Sequence, residues 1–163
     1  VAILGLKLID SPTTCRIYDS PLFGAESSIA QRRLQGYLEA IEKTGNHISN
    51  DWIWHIPESQ GAYARQAANE VLNCEPRPTT ILCMSDIIAL ELLQCALAKG
   101  IDVPGSLKIT GFDGIDEAAR TRPNLATVCQ SSIAKGELAA TKLLESAVDN
   151  TIMPYDIIGG ETV

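Results

Sequence analysis

Residues 77–100 read RPTTILCMSDIIALELLQCALAKG. Thr80 to Met84 is a short apolar run of strand length, and Ser85-Asp86 interrupts it with two polar groups. Asp86 to Lys99 has the length of a helix, and Gly100 stops it. The V-P-G step at 103–105 then turns the chain into a second apolar strand, Leu107 to Phe112. A strand, a helix and another strand in this order form a β-α-β unit, whose two strands lie parallel.

The same alternation extends in both directions. Upstream, Val1 to Leu6 reads as a strand and Ser28 to Lys43 as a helix, with Leu34, Tyr37, Leu38 and Ile41 forming its apolar stripe and Gly45 its stop. Asp51 to Ile56 is the next strand and Gln60 to Asn73 the next helix, which the E-P-R-P step at 75–78 breaks. Downstream, Asp116 to Thr121 holds a short helical turn, Leu125 to Cys129 a strand, Ser132 to Ala147 a helix, and Ile157 to the end a last strand. The fold class is therefore α/β, a doubly wound and mainly parallel sheet with helices on both faces. Asp10 to Glu26 is a long Pro- and Ser-bearing loop, of a length more typical of a functional or mobile segment than of a connector.

At 163 residues the chain makes one domain, 1–163, and its 45% hydrophobic and 20% charged residues are those of an average globular protein. No run approaches the ~20 apolar residues that cross a bilayer. A net charge of −7 repels phosphate backbones, so this chain by itself is a poor DNA binder. The five cysteines include no C-x-x-C pair, and three lie in apolar runs, which argues for free thiols over a disulfide framework or a metal site. With no basic stretch or cleavage site at the start, a reducing, cytoplasmic setting is expected, and a first residue other than Met points to a segment of a longer protein.

In open α/β sheets, ligands bind beyond the carboxyl ends of the strands. Asp113 leaves its strand between Gly111 and Gly114. Its carboxylate can accept hydrogen bonds from neighbouring hydroxyls of a sugar or nucleoside, or it can cap the turn that follows. Asp86 reads first as the N-cap of its helix, and Ser85 can serve either the helix or a polar ligand. Arg33 lies on or beside the stripe that its helix buries, so it either meets an anionic or hydroxylated partner, such as Asp113 or a ligand, or snorkels to water. His47 and His55 read as structural, and Trp52 and Trp54, on one face of their strand, as packing groups. No nucleophile elbow, phosphate loop or metal cluster is visible, so neither catalysis nor a cofactor is expected.

The segments RRLQGY at 32–37, RPTTILCMSDIIAL at 77–90, VPGSLKITGFDG at 103–114 and RPNLATVCQ at 122–130 together resemble the effector-binding core of the lactose-repressor/galactose-repressor family of bacterial transcription regulators. The resemblance implies the C-terminal lobe of a two-lobed periplasmic-binding-protein type I fold. A helix-turn-helix DNA reader and an N-terminal lobe would lie outside this chain. It further implies that Arg33, Ser85, Asp86, Asp113 and Gln130 face a small-molecule effector, a sugar or derivative. Ile87, Leu90, Leu93 and Leu97 would lie in a homodimer interface. The implied partners are the effector, a second copy and operator DNA, with no membrane. Gly114 in place of a second acidic residue and Gln35 in place of a small one depart from the family pattern and leave the effector open. Periplasmic sugar-binding proteins share the fold and are the second reading, and an enzyme on a doubly wound sheet is the third.

Overall fold

The structure, a computed structural model, describes residues 1–18, 28–59, 61–146 and 149–163. Among the described residues, seven strands form one sheet: β1 (Ala2–Leu6), β2 (Cys15–Arg16), β3 (Ile53–Ile56), β4 (Thr80–Cys83), β5 (Lys108–Asp113), β6 (Ala126–Cys129) and β7 (Asp156–Ile158). Four helices accompany them: α1 (Ile29–Lys43), α2 (Gly61–Leu72), α3 (Asp86–Ala98) and α4 (Ser132–Leu144). The order across the sheet is β2-β3-β1-β4-β5-β6-β7. The five central strands are parallel, and β2 and β7 close the edges antiparallel.

The strands β1 and β3 are largely apolar runs because both of their faces are covered. Ala2, Ile3 and Leu4 of β1 and Ile53, Trp54 and Ile56 of β3 are at most 1% exposed. From β1 the chain crosses through α1 to β3, then returns through α2 to β4 on the other side of β1. This reversal puts α1 on one face, over Ile3 and Ile53, and puts α2 and α3 on the other, over Leu4, Ile81 and Ile109. The switch point of the topology therefore lies at the carboxyl ends of β1 and β4, where a doubly wound sheet opens a crevice.

Local signals set the helix boundaries. Ser28 caps α1 by accepting the Gln31 N–H at 3.1 Å, and the predicted stripe faces the sheet, with Leu34 and Ile41 buried. Ser85, not Asp86, caps α3, accepting the Ile88 N–H at 3.3 Å. On α3, Ile88, Ala89, Leu92, Leu93 and Ala96 are buried.

Several expectations need correction. Leu93 is 1% exposed and belongs to the chain's own core, so it is not part of a dimer face. Part of the apolar girth of α3 is covered by α2, a neighbour that the composition of α3 alone does not reveal. Trp52 sits in a 3₁₀ turn (Asn50–Trp52) before β3 rather than in the strand, with its ring centroid 6.4 Å from that of Trp54. The 10–26 loop contains the short strand β2; its residues 19–26 lie outside the described residues, as do Gln60 and Ala147 of the predicted helices.

The predicted last strand is also altered. β7 spans only Asp156–Ile158, and the segment after it turns back to the amino ends of β5 and β6. There the Thr162 hydroxyl donates to the Ile109 carbonyl at 2.7 Å and accepts the Ala126 N–H at 3.0 Å. By contrast, α4 contributes no buried residue to the chain: Ile133, Leu143 and Leu144 are 78%, 80% and 86% exposed.

Candidate ligand cleft at the carboxyl edge of the sheet

Arg33 comes from the second turn of α1 and Asp113 from the last position of β5. The Arg33 Nη2 donates to Asp113 Oδ1 at 3.0 Å, and its Nη1 donates to the Met84 carbonyl at 2.6 Å, just beyond β4. The guanidinium lies over the Phe112 ring, 3.8 Å from its centroid, so the aromatic face supports the cation while leaving its in-plane donors available. Arg33 does not snorkel; it joins the carboxyl ends of two strands, β4 and β5. Its side chain is 18% exposed and that of Asp113 41%, so the pair opens to the crevice from a half-buried base.

The electrostatics match this placement. Burial pushes the Asp113 carboxyl above its ordinary range, and the Arg33 cation pulls it part of the way back. An ionised acid in this position has a desolvation cost that hydroxyl donors from a ligand would offset. Tyr37, one helical turn after Arg33, donates its phenol to the Cys83 carbonyl at 3.2 Å, and burial raises the phenol's affinity for its proton.

Adjoining cavities surround the pair. One of about 590 Å³ is lined by Arg33, Tyr37, Phe112, Gln130 and Lys135, among others, and one of about 460 Å³ by Leu6, Lys7, Met84 and Asp113 with Arg33. A third, of about 620 Å³, joins Phe112, Gln130 and Lys135 to Met153 and Tyr155. Gln130 thus stands at the cleft wall, with its Oε1 accepting from the Lys135 ammonium.

Two of the anticipated residues stand elsewhere. Ser85 is 4% exposed and its hydroxyl is engaged by its own helix. Asp86 is fully buried, and its oxygens accept from the Gly114 and Ile115 amides and the Thr127 hydroxyl, so it holds the turn behind Asp113 rather than facing the cleft. Phe112, Lys135 and Tyr37 line the cleft although sequence reasoning did not single them out. Of the three, Tyr37 was the one within reach, since it lies four residues from Arg33 on the same helical face.

A polar crevice at the switch point of a doubly wound sheet, floored by a stacked arginine and a carboxylate, is what a fold of the periplasmic-binding-protein type presents. Residues 22–158 match the family of periplasmic binding protein-like domains, and the chain belongs to that family. Among its curated relatives, it is 34% identical over 122 residues to the ribose operon repressor of Haemophilus influenzae, covering 74% of this chain and 36% of the repressor. It is 32% identical over 125 residues to the transcriptional repressor PurR of Photobacterium profundum, covering 77% and 37%. A solved putative regulator of the LacI family from Sanguibacter keddieii superposes on 99% of this chain and 57% of its own with a TM-score of 0.79 at 23% identity. The chain thus spans somewhat more than a third of the length of the curated relatives it matches. Among the described residues, no helix is long and apolar enough to cross a membrane.

Proposed function

We propose that this chain is the C-terminal lobe of the effector-sensing part of a bacterial transcriptional regulator, and that the cleft at Arg33 and Asp113 binds a small polyhydroxylated effector, a sugar or sugar derivative. The observation that carries this reading is the Arg33–Asp113 pair over Phe112: a fork of donors beside a carboxylate, above an apolar ring, is the chemistry that neighbouring hydroxyls on a ring with an apolar face require. Gln130, at the wall, adds an amide able to donate and accept. The regulator reading is favoured over a transport protein because the curated relatives described above are repressors, one of them of a ribose operon. A sensing role is supported by the repressor relatives.

The exposed apolar residues of α4 and β7 fit a two-lobed protein. Ile133, Leu143 and Leu144, with Ile157 at 76% exposure, are the surface an adjoining lobe would cover. The effector then sits between lobes, and its binding changes how a homodimer presents its DNA readers to an operator. On α3, Ile87, Leu90 and Leu97 fall on one outward stripe, Ile87 and Leu97 each 44% exposed, and form the proposed dimer face. The direct test is calorimetry of the full-length protein against a panel of pentoses, hexoses and nucleosides. Saturable binding of one of them, lost in Asp113→Ala, is expected; binding that survives this change unaltered would move the site elsewhere.

A further inference from the structure

The GFDG turn at 111–114 is held in an unusual shape. Asp113 has φ +116° and Gly114 φ +75°, both in the region that L side chains rarely adopt. A backbone in this region persists only where its surroundings hold it. The holding group is Asp86, the first residue of α3. Its Oδ2 accepts the Gly114 N–H at 2.7 Å and the Ile115 N–H at 2.9 Å, while its Oδ1 accepts the Thr127 hydroxyl at 2.6 Å.

The glycines are shaped around this carboxylate. A Cβ on Gly111 would lie 2.1 Å from Asp86 Oδ1, and one on Gly114 would lie 2.6 Å from atoms of Cys129. Small residues at 111 and 114 therefore let α3, β5 and β6 meet at one buried acid. Three donors satisfy it, as a buried polar group requires.

We infer that Asp86 is a positioning residue for the cleft: its carboxylate pins the 113–115 turn, presents Asp113 to Arg33, and ties that turn to the first residue of the helix carrying the proposed dimer face. Asp113's own part in effector binding, on which the functional meaning of the pin depends, is tested separately by the calorimetry above. The pin itself is read without ligand.

The experiment is amide NMR on the full-length protein labelled with 15N-glycine and 15N-isoleucine. In Asp86→Ala, the Gly114 and Ile115 amide protons are expected to move upfield and to exchange faster by roughly tenfold or more, the loss of a charge-assisted bond. The Gly100 amide, bonded to the Leu97 carbonyl at the far end of the same helix, should stay in place and so separates local release from general unfolding. Asp86→Asn should rescue most of the exchange protection, because its carbonyl can still accept both amides and its amide can donate to Thr127, but the Gly114 proton should still move upfield as the acceptor loses its charge. In crystals of Asp86→Ala, the 3.0 Å Arg33–Asp113 pair should open while Arg33 keeps its bond to the Met84 carbonyl. Unmoved Gly114 and Ile115 signals in Asp86→Ala, or an intact Arg33–Asp113 pair there, would overturn the inference. Should Asp86→Ala fail to fold, an unmoved Gly114 signal in Asp86→Asn overturns it alone.

Discussion

Arg33 makes its contacts to the ends of two strands, β4 and β5, and their sequence separations explain what could be read in advance. The spacing to Leu34 and Tyr37 places it at the edge of a buried stripe, and its partner Asp113 stands out between two glycines; both were legible. The roles of Ser85 and Asp86 were not, because the Gly114, Ile115 and Thr127 partners of Asp86 are 28, 29 and 41 residues away, and nothing local distinguishes a cap from a buried pin. Arg33→Ala should weaken effector binding by about 1–3 kcal/mol, or roughly five- to 150-fold, since it leaves Asp113 and the ligand's hydroxyls without their donor fork. Calorimetry with the effector found in the panel checks this.

His55 carries a second residue-scale prediction. It is 1% exposed, its Nδ1 accepts the Leu8 and Ile9 amides at 3.0 and 3.2 Å, and its Nε2 donates to the Ser11 carbonyl at 3.0 Å. Protonating Nδ1 would break two of these bonds, and burial holds the imidazole below its ordinary pKa. The unfolded chain takes up the proton near pH ~6.5, the folded chain only at lower pH. Between those values the unfolded state binds more protons, so the stability His55 contributes is complete above about pH 6.5 and is lost as pH falls. Urea midpoints measured at about pH 8 and about pH 5.5 should therefore differ more in the wild type than in His55→Gln. Equal differences would remove His55 from the account.

Among the elements, the ones the sequence defined best are those with a polar stripe to orient them. The apolar positions of α1 recur at helical spacing, and the structure buries them as read. In α3, 10 of the 14 residues from Asp86 to Lys99 are apolar, so no polar face remains to tell inside from outside. Leu93 and Leu90 could be separated only once α2 was in place. The strand β2 escaped notice because two residues are too short to show a period, and α4 is legible as a helix although its apolar side has no cover among the described residues. The two leucines should behave oppositely. Leu93→Ala should cost about 2–5 kcal/mol of stability through a cavity in the core, seen as a lower denaturation midpoint. Leu90→Asp, half-buried at the edge of the outer stripe, should cost less stability than Leu93→Ala and shift sedimentation of the full-length protein from dimer to monomer; a dimer that persists would move the interface off α3.

On the scale of the whole molecule, an acidic α/β chain carries a candidate cleft at the carboxyl edge of its sheet. Its α/β class followed from alternation alone, since strand and helix periods switch in step along the chain. The exposure of the apolar side of α4 and β7 was not derivable from composition or period, because burial depends on neighbours that local sequence does not name. If the cleft is the sensor, effector and operator affinities must be linked reciprocally in the full-length dimer, with a coupling of about 1–3 kcal/mol. The most direct measurement is a DNA titration at fixed salt, on the 163-residue lobe and on the full-length protein, each with and without the effector. The account predicts no sequence-specific DNA binding by the lobe alone, and full-length operator binding whose affinity the effector shifts by roughly five- to 150-fold, a shift abolished in Asp113→Ala. Specific operator binding by the lobe alone, or no operator binding by the full-length protein under any ligand condition, would contradict it and favour a periplasmic sugar binder.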